Sequence, residues 1–231
     1  MGLLALLLGG VLLLLAFGPQ MWAKRVLARH HQPAQRFEFN GAQFARHLLG
    51  KHGLSDIAVE ETGKDGDHYD PQARAVRLSP AVYNGQSLTA ITIAAHECGH
   101  AFQHATNYRP LELRTRLVQR FSKLEKVGSL ILMAAPLVGV VGRRPLPAFF
   151  LVLAGLLTMG APALVHAVTL PVEFDASFNR AMPLLKASGH LREDEEEKAR
   201  SILRAAALTY VAASLNSLVN VGRWMRTLLR R

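Results

Sequence analysis

Three long apolar blocks constrain this chain more than any other feature: Leu3–Phe17, Val127–Gly142 and Leu146–Val172. A helix on the surface of a soluble domain carries a polar face opposite its apolar one. These blocks carry none, and on sequence alone they are expected to be membrane segments. The first has fifteen strictly apolar residues. They reach roughly 22 Å as a helix against a hydrocarbon core of roughly 30 Å, so the flank to Trp22 has to contribute. No basic residue precedes the block, whereas Lys24, Arg25 and Arg29 follow it. It lacks a clear positive n-region and cleavage site, so a retained anchor with its N-terminus outside is expected. Only Gly-Arg-Arg-Pro at 142–145 separates the second block from the third, the pattern of a membrane hairpin.

Charge sets the expected orientation. Net charge is +10, and Lys24–Lys126 holds fifteen Lys and Arg against two at the hairpin tip. The positive-inside rule then places the polar region, and the chain from Glu173 onward, in the cytoplasm. A fourth apolar stretch, Ile202–Val221, is interrupted by Arg204, Asn216 and Asn220 and followed by a basic tail, Arg223 to Arg231. It either spans or lies against the bundle or the interface. With 50% hydrophobic and 19% charged residues the chain is not disordered. A single cysteine, Cys98, excludes an internal disulfide. Aromatic residues are 7% and never interleave with basic ones, so no nucleic-acid partner is expected and the positive charge is assigned to topology.

Between anchor and hairpin the sequence predicts a small α+β region. Asn40 can cap a helix that runs to His52 and stops at Gly53. Ile57–Glu61 and Ala73–Leu78 alternate as strands do, with turn formers from Gly63 to Pro71 between them. Ser87 caps a helix over Leu88–Ala105. The acidic run Glu193–Glu197 is expected to be a solvated face.

The Leu88–Ala105 helix carries His96-Glu97-Cys98-Gly99-His100. Residues four apart share a helix face, so two neutral imidazoles can hold one Zn²⁺. Glu97 lies about 100° around from His96, beside the metal, where it can take a proton from the attacking water. Cys98 lies about 200° around and is expected to pack. Gly99 leaves room for a second element to come close. A third ligand is required. Thr106 stands where the metzincin pattern wants histidine. His104 is too close on the same helix and is expected to be an ordinary satisfied histidine. Glu173, just after the third apolar block, is the candidate, with Asp175 as fallback. His68 and Asp70 could support the site from behind, although an Asp in a turn ordinarily stabilises the turn.

At these residues the chain resembles the YugP-type neutral zinc metallopeptidases, a family of bacterial membrane proteins. The resemblance runs through Asp67–Pro71, Val76–Pro80, Ala94–Gln103, Thr169–Ser177 and Ala205–Ala213. The layout is also similar to the HtpX-type and CAAX-prenyl-type membrane proteases, which carry Glu-x-x-x-Asp after the hairpin. Here Ser177 stands at the position of that Asp, so its role does not transfer. The resemblance implies a gluzincin-like zinc endopeptidase with His96, His100 and Glu173 on the metal and Glu97 as general base. It further implies a multi-pass protein of the bacterial inner membrane with its site on the cytoplasmic side. The partners it implies are peptide or protein substrates, membrane proteins included, and the lipid bilayer.

The expected architecture is thus a mainly α membrane protein: transmembrane helices plus a small α+β gluzincin-like region. It comprises an anchor (1–23), a cytoplasmic α+β region with the zinc helix (24–126) and a transmembrane hairpin (127–172). A third-ligand segment with an acidic linker (173–201) and a C-terminal apolar helix with a basic tail (202–231) complete it. The alternative is a non-catalytic membrane adaptor or chaperone-like protein with a structural zinc, which a closed four-ligand site would favour.

Overall fold

The structure is a computed structural model that describes residues 2–63, 66–136 and 145–209. In chain order the elements are α1 (Gly2–Arg29), α2 (Gly41–Lys51), β1 (Ala58–Glu61), β2 (His68–Asp70), β3 (Ala75–Leu78), α3 (Pro80–Tyr83), α4 (Leu88–Ala105), α5 (Arg109–Pro136) and α6 (Pro145–Phe174). A π-helical segment (Asp175–Ala181) and α7 (Met182–Ala187) follow α6 directly. Residues 193–209 form a further helix, α8.

Local chemistry sets the boundaries. The Asn40 side chain accepts from Gln43 N at 2.8 Å while the Gln43 side chain accepts from Asn40 N at 2.9 Å, a reciprocal cap that opens α2. Beyond it Gly53 adopts φ +75°, which stops the helix. Ser87 Oγ accepts from Ala90 N at 3.2 Å and opens α4. The Asp67 carboxylate accepts from both Ser79 N (2.7 Å) and Ser79 Oγ (2.9 Å), pinning the end of β3 where Pro80 begins α3.

The sheet has strand order β1-β3-β2, with β1 parallel and β2 antiparallel to β3. Val59 pairs with Val76, and Val76 with Tyr69 across the other side. The strand expected over Ala73–Leu78 is therefore the central one. Its ladder hydrogen bonds are already used on both sides, and the free edges belong to β1 and β2.

The chain divides into two compact units. Pro19–Leu111 with Leu170–Thr209 makes one; residues 2–18 and Glu112–Thr169 belong to the other. The first unit holds the sheet, α2–α4, the π segment, α7 and α8. Its core joins Phe44, Leu48 and Leu49 of α2 to Leu78, Ile91, Leu185, Ile202 and Leu203, all essentially inaccessible. Each such side chain contributes about 1.5–3 kcal/mol of burial. Fifteen of the eighteen residues of α4 are buried, so this helix is the axis of the unit.

Among the described residues no helix is long and apolar enough to cross a membrane. That corrects the expected fold class: the transmembrane helices assigned to the anchor and hairpin are not supported, and the architecture is mainly helical with a small three-stranded sheet. The apolar blocks do fall in helices, since α1 contains Leu3–Phe17 and α6 runs the length of Leu146–Val172, but an apolar helix is not by itself a span. Helix α5 spends Arg109–Lys126 on a charged sequence before its apolar part begins. Helix α6 ends by burying Val172 and Glu173 in protein. An apolar run is equally the mark of a helix packed in an interior. The hairpin tip at 142–144 and the stretch and tail from 210 to 231 lie outside the described residues.

The acidic run is only partly a solvated face. Glu195 is buried and takes a bidentate pair from Arg36, Nε to Oε1 at 2.5 Å and Nη2 to Oε2 at 2.8 Å, while Arg192 N donates to Oε2 at 2.9 Å. Burial pushes the Glu195 carboxyl up, but the Arg36 and Arg192 donors outweigh it and hold the group below the ordinary carboxylate range. A lowered carboxyl stabilises the fold above its unfolded pKa, and that contribution disappears as pH falls through the folded value. Arg36→Met should therefore cost about 2 kcal/mol at pH 7, because it strands a buried carboxylate. The deficit relative to the parent should shrink below about pH 4, as protonation removes the charge. Urea denaturation at the two pH values measures it.

Candidate metal centre

Helix α4 and the end of α6 bring three donors together. His96 and His100, one turn apart, stand edge to face with ring centroids 4.8 Å apart. Glu173, in the last turn of α6, is completely buried, and its Oε2 lies 3.2 Å from His96 Nε2 and 3.3 Å from His100 Nε2. Candidate ligand atoms of the three residues all lie within 4.8 Å of one another. Donors about 2.1 Å from a tetrahedral zinc sit about 3.4 Å apart, so the two contacts have the spacing an ion between them requires.

The outer ring nitrogens show which form of each imidazole is present. Gln103, fully buried, uses its amide nitrogen on Val172 O (2.8 Å) and Asp175 Oδ2 (2.9 Å), both acceptors. Its Oε1 therefore faces His100 Nδ1, 2.9 Å away, and Nδ1 must carry the hydrogen. His96 Nδ1 lies 3.1 Å from Ser177 Oγ, whose own hydrogen has Leu203 O as acceptor at 3.5 Å. Both Nε2 atoms then present lone pairs toward an anionic carboxylate. Burial would raise the Glu173 carboxyl, and only positive charge at the ring nitrogens it faces, His100 foremost, brings it well below the ordinary range. Two lone pairs and a carboxylate oxygen converging in an interior repel one another unless a cation joins them, and imidazole–imidazole–carboxylate is a zinc donor set. The residues fit the metal.

Close approach of the two ligand-bearing elements depends on Gly99. A Cβ built there would lie 2.5 Å from Ala176 O, in the π segment between Glu173 and Ser177. The π segment carries the supporting groups. Asp175 accepts from Gln103, from Arg180 Nε (2.8 Å) and from Asn179 Nδ2 (3.0 Å). Burial raises its carboxyl, and these donors more than reverse the shift, keeping it ionised.

The other residues singled out from the sequence fall elsewhere. Glu97 is buried on α4 next to His96. Cys98 is fully buried, donates to Ala45 O at 3.8 Å, and burial pushes its thiol far up, so it packs as a neutral group. His104 Nδ1 lies 2.8 Å from Tyr69 OH and outside the donor cluster. His68 caps a turn through Gly66 O (3.0 Å), while Asp70 accepts from Gln72 N, Ala73 N and Arg77, which is turn chemistry. Sequence reasoning missed Gln103 and Ser177. Gln103 is three residues beyond His100, on the ligand face. Ser177 is four beyond Glu173, at the position where the resemblance offered no role to carry over.

A mainly helical unit whose axial helix offers two imidazoles to a buried carboxylate defines a candidate zinc protein of the His-Glu-x-x-His kind. Over residues 5–229 the chain matches the family described as "Putative neutral zinc metallopeptidase", and it belongs to that family. It is 36% identical over 219 residues, 93% of each chain, to "Putative membrane protease YugP" of Bacillus subtilis (strain 168). No solved structure matches it. Zinc is accordingly the metal for which these residues are suited.

Proposed function

We propose that the protein is a zinc metalloendopeptidase in which His96, His100 and Glu173 hold the ion and Glu97 is the general base. The observation that carries this reading is the convergence of His96 Nε2 and His100 Nε2 on Glu173 Oε2 at 3.2 and 3.3 Å in a buried site. Among the described residues three protein donors meet there. Three donors leave a tetrahedral position for water or substrate, as catalytic zinc requires and structural zinc does not. When bound, zinc lowers the pKa of water toward neutrality and polarises a carbonyl oxygen.

The protein's part is orientation and proton transfer. Gln103 and Ser177 fix the outer nitrogens and so aim both imidazoles. The Glu97 carboxylate takes a proton from the attacking water and delivers it to the leaving amine as the C–N bond breaks. Glu97→Gln should keep zinc bound while cleavage of an end-blocked fluorogenic peptide falls by about 10²–10⁴-fold. Undiminished cleavage at unchanged zinc content would remove Glu97 from the mechanism.

The relative's name places that protein at a membrane, and we extend membrane association, with the site on the cytoplasmic side, to this chain. Support comes from the net charge of +10, suited to an anionic leaflet, and from exposed Phe149 and Phe150 on α6. Cell fractionation, with protease added from outside intact cells, tests both parts.

A further inference from the structure

Gln103 stands out among the buried polar side chains because it touches both ligand-bearing elements at once. Its Oε1 meets His100 Nδ1 at 2.9 Å, and its Nε2 meets the backbone oxygen of Val172, the residue immediately before Glu173, at 2.8 Å. The second hydrogen of the same nitrogen goes to Asp175 Oδ2 at 2.9 Å. Arg180 and Asn179 hold Asp175 in turn, so its Oδ2 is presented to Gln103 in one orientation. A primary amide free in a pocket can flip, exchanging donor and acceptor ends. Here a flip would aim two N–H groups at the His100 N–H and leave a carbonyl oxygen facing a carboxylate and a backbone oxygen. The amide is therefore locked by its partners.

We propose that Gln103, held by Asp175, is a positioning residue that fixes His100 as the Nδ1–H tautomer and ties its ring to the backbone carrying Glu173. The inference rests on the metal-site reading above. It says more than that reading does: His100 and Glu173 are set in register by a single side chain, while His96 has a separate support in Ser177. A neutral histidine can bind a metal through either ring nitrogen, and a hydrogen bond at the other nitrogen decides which is used. Without the Gln103 oxygen, His100 loses that bias and its ring loses the link to α6.

The test uses the full chain with zinc itself as probe. Zinc affinity is measured by competition with a chelator at pH 7, and the histidine ring nitrogens are followed by long-range ¹H–¹⁵N spectra. The parent should show His100 protonated at Nδ1 and metallated at Nε2. Gln103→Leu, of similar size, should weaken zinc by about 10–100-fold and disturb the His100 nitrogen pattern while leaving that of His96 intact. Gln103→Glu keeps an oxygen facing Nδ1–H and should restore the His100 pattern, although its lost donors leave affinity below the parent's. If Gln103→Leu fails to fold, Asp175→Asn gives the second reading: loosening the amide should shift the His100 signals more than those of His96. Parental affinity and an unchanged His100 tautomer in Gln103→Leu, or in Asp175→Asn where that is the variant available, would overturn the proposal. A parent that binds no zinc through His96 and His100 would instead overturn the metal-site reading itself.

Discussion

Glu173→Gln is expected to abolish zinc binding at micromolar metal without weakening the metal-free fold. The two halves of that result have one cause. In the parent a carboxylate, completely buried, sits 3.2 and 3.3 Å from two imidazole nitrogens that present lone pairs. A cation turns this convergence into three bonds; without one it is a concentration of negative charge in an interior. The amide is neutral and of the same shape, and it can donate a hydrogen to one imidazole, so the metal-free variant should melt at or above the metal-free parent. Affinity should fall by more than about 100-fold, beyond the 10–100-fold that loss of a mere supporting hydrogen bond costs. Because a ligand stabilises the folded state by RT ln(1 + [L]/Kd), added zinc should raise the melting temperature of the parent and leave the variant's unchanged. A Glu173 that only anchored the chain would give the opposite pattern, a less stable metal-free protein with intact zinc binding.

What the sequence could disclose depends on how local the responsible physics is. The α4 donors were legible because four-residue spacing on a helix is a geometric fact independent of tertiary context. The helix openings at Asn40 and Ser87 were legible for the same reason, since a cap is decided within three residues. Strand order was not: the alternation of Ala73–Leu78 reveals a strand, but only the pairing of both β1 and β2 with it makes β3 central. Burial misled most. The apolar blocks suggested lipid, yet among the described residues no helix is long and apolar enough to span, and an apolar run marks a helix without fixing what covers it. Ser177 shows a subtler gap. With serine in place of the pattern's acid no role carried over to that position, but a neutral hydroxyl can face His96 once Leu203 O takes its hydrogen, and that acceptor lies 26 residues further along the chain.

Gly99→Ala carries the second large expectation, and its sign is the informative part. In an exposed helix interior the change from Gly to Ala stabilises by about 0.8–1 kcal/mol, because Gly loses more backbone freedom on folding. Gly50, near the end of α2, meets that description: a Cβ there finds only Ser55 Oγ at 3.6 Å, so Gly50→Ala should be neutral or stabilising. At Gly99 the new methyl would lie 2.5 Å from Ala176 O and 3.2–3.3 Å from Ala176 C and Cα. These are backbone atoms inside a helical segment and cannot swing aside as a side-chain tip does. The π segment has to withdraw as a body, and overpacking of this kind costs about 1–3 kcal/mol after the propensity gain is offset. Glu173 and Ser177 flank Ala176 and both meet His96, so the withdrawal is transmitted directly to the metal site. Zinc affinity should drop by at least about 10-fold, comparable to removal of a supporting hydrogen bond, while Gly50→Ala leaves it unchanged. Urea denaturation and chelator competition on the two variants side by side would show it. Equal stabilisation of both would mean that α4 and the π segment do not approach as closely as the metal centre requires.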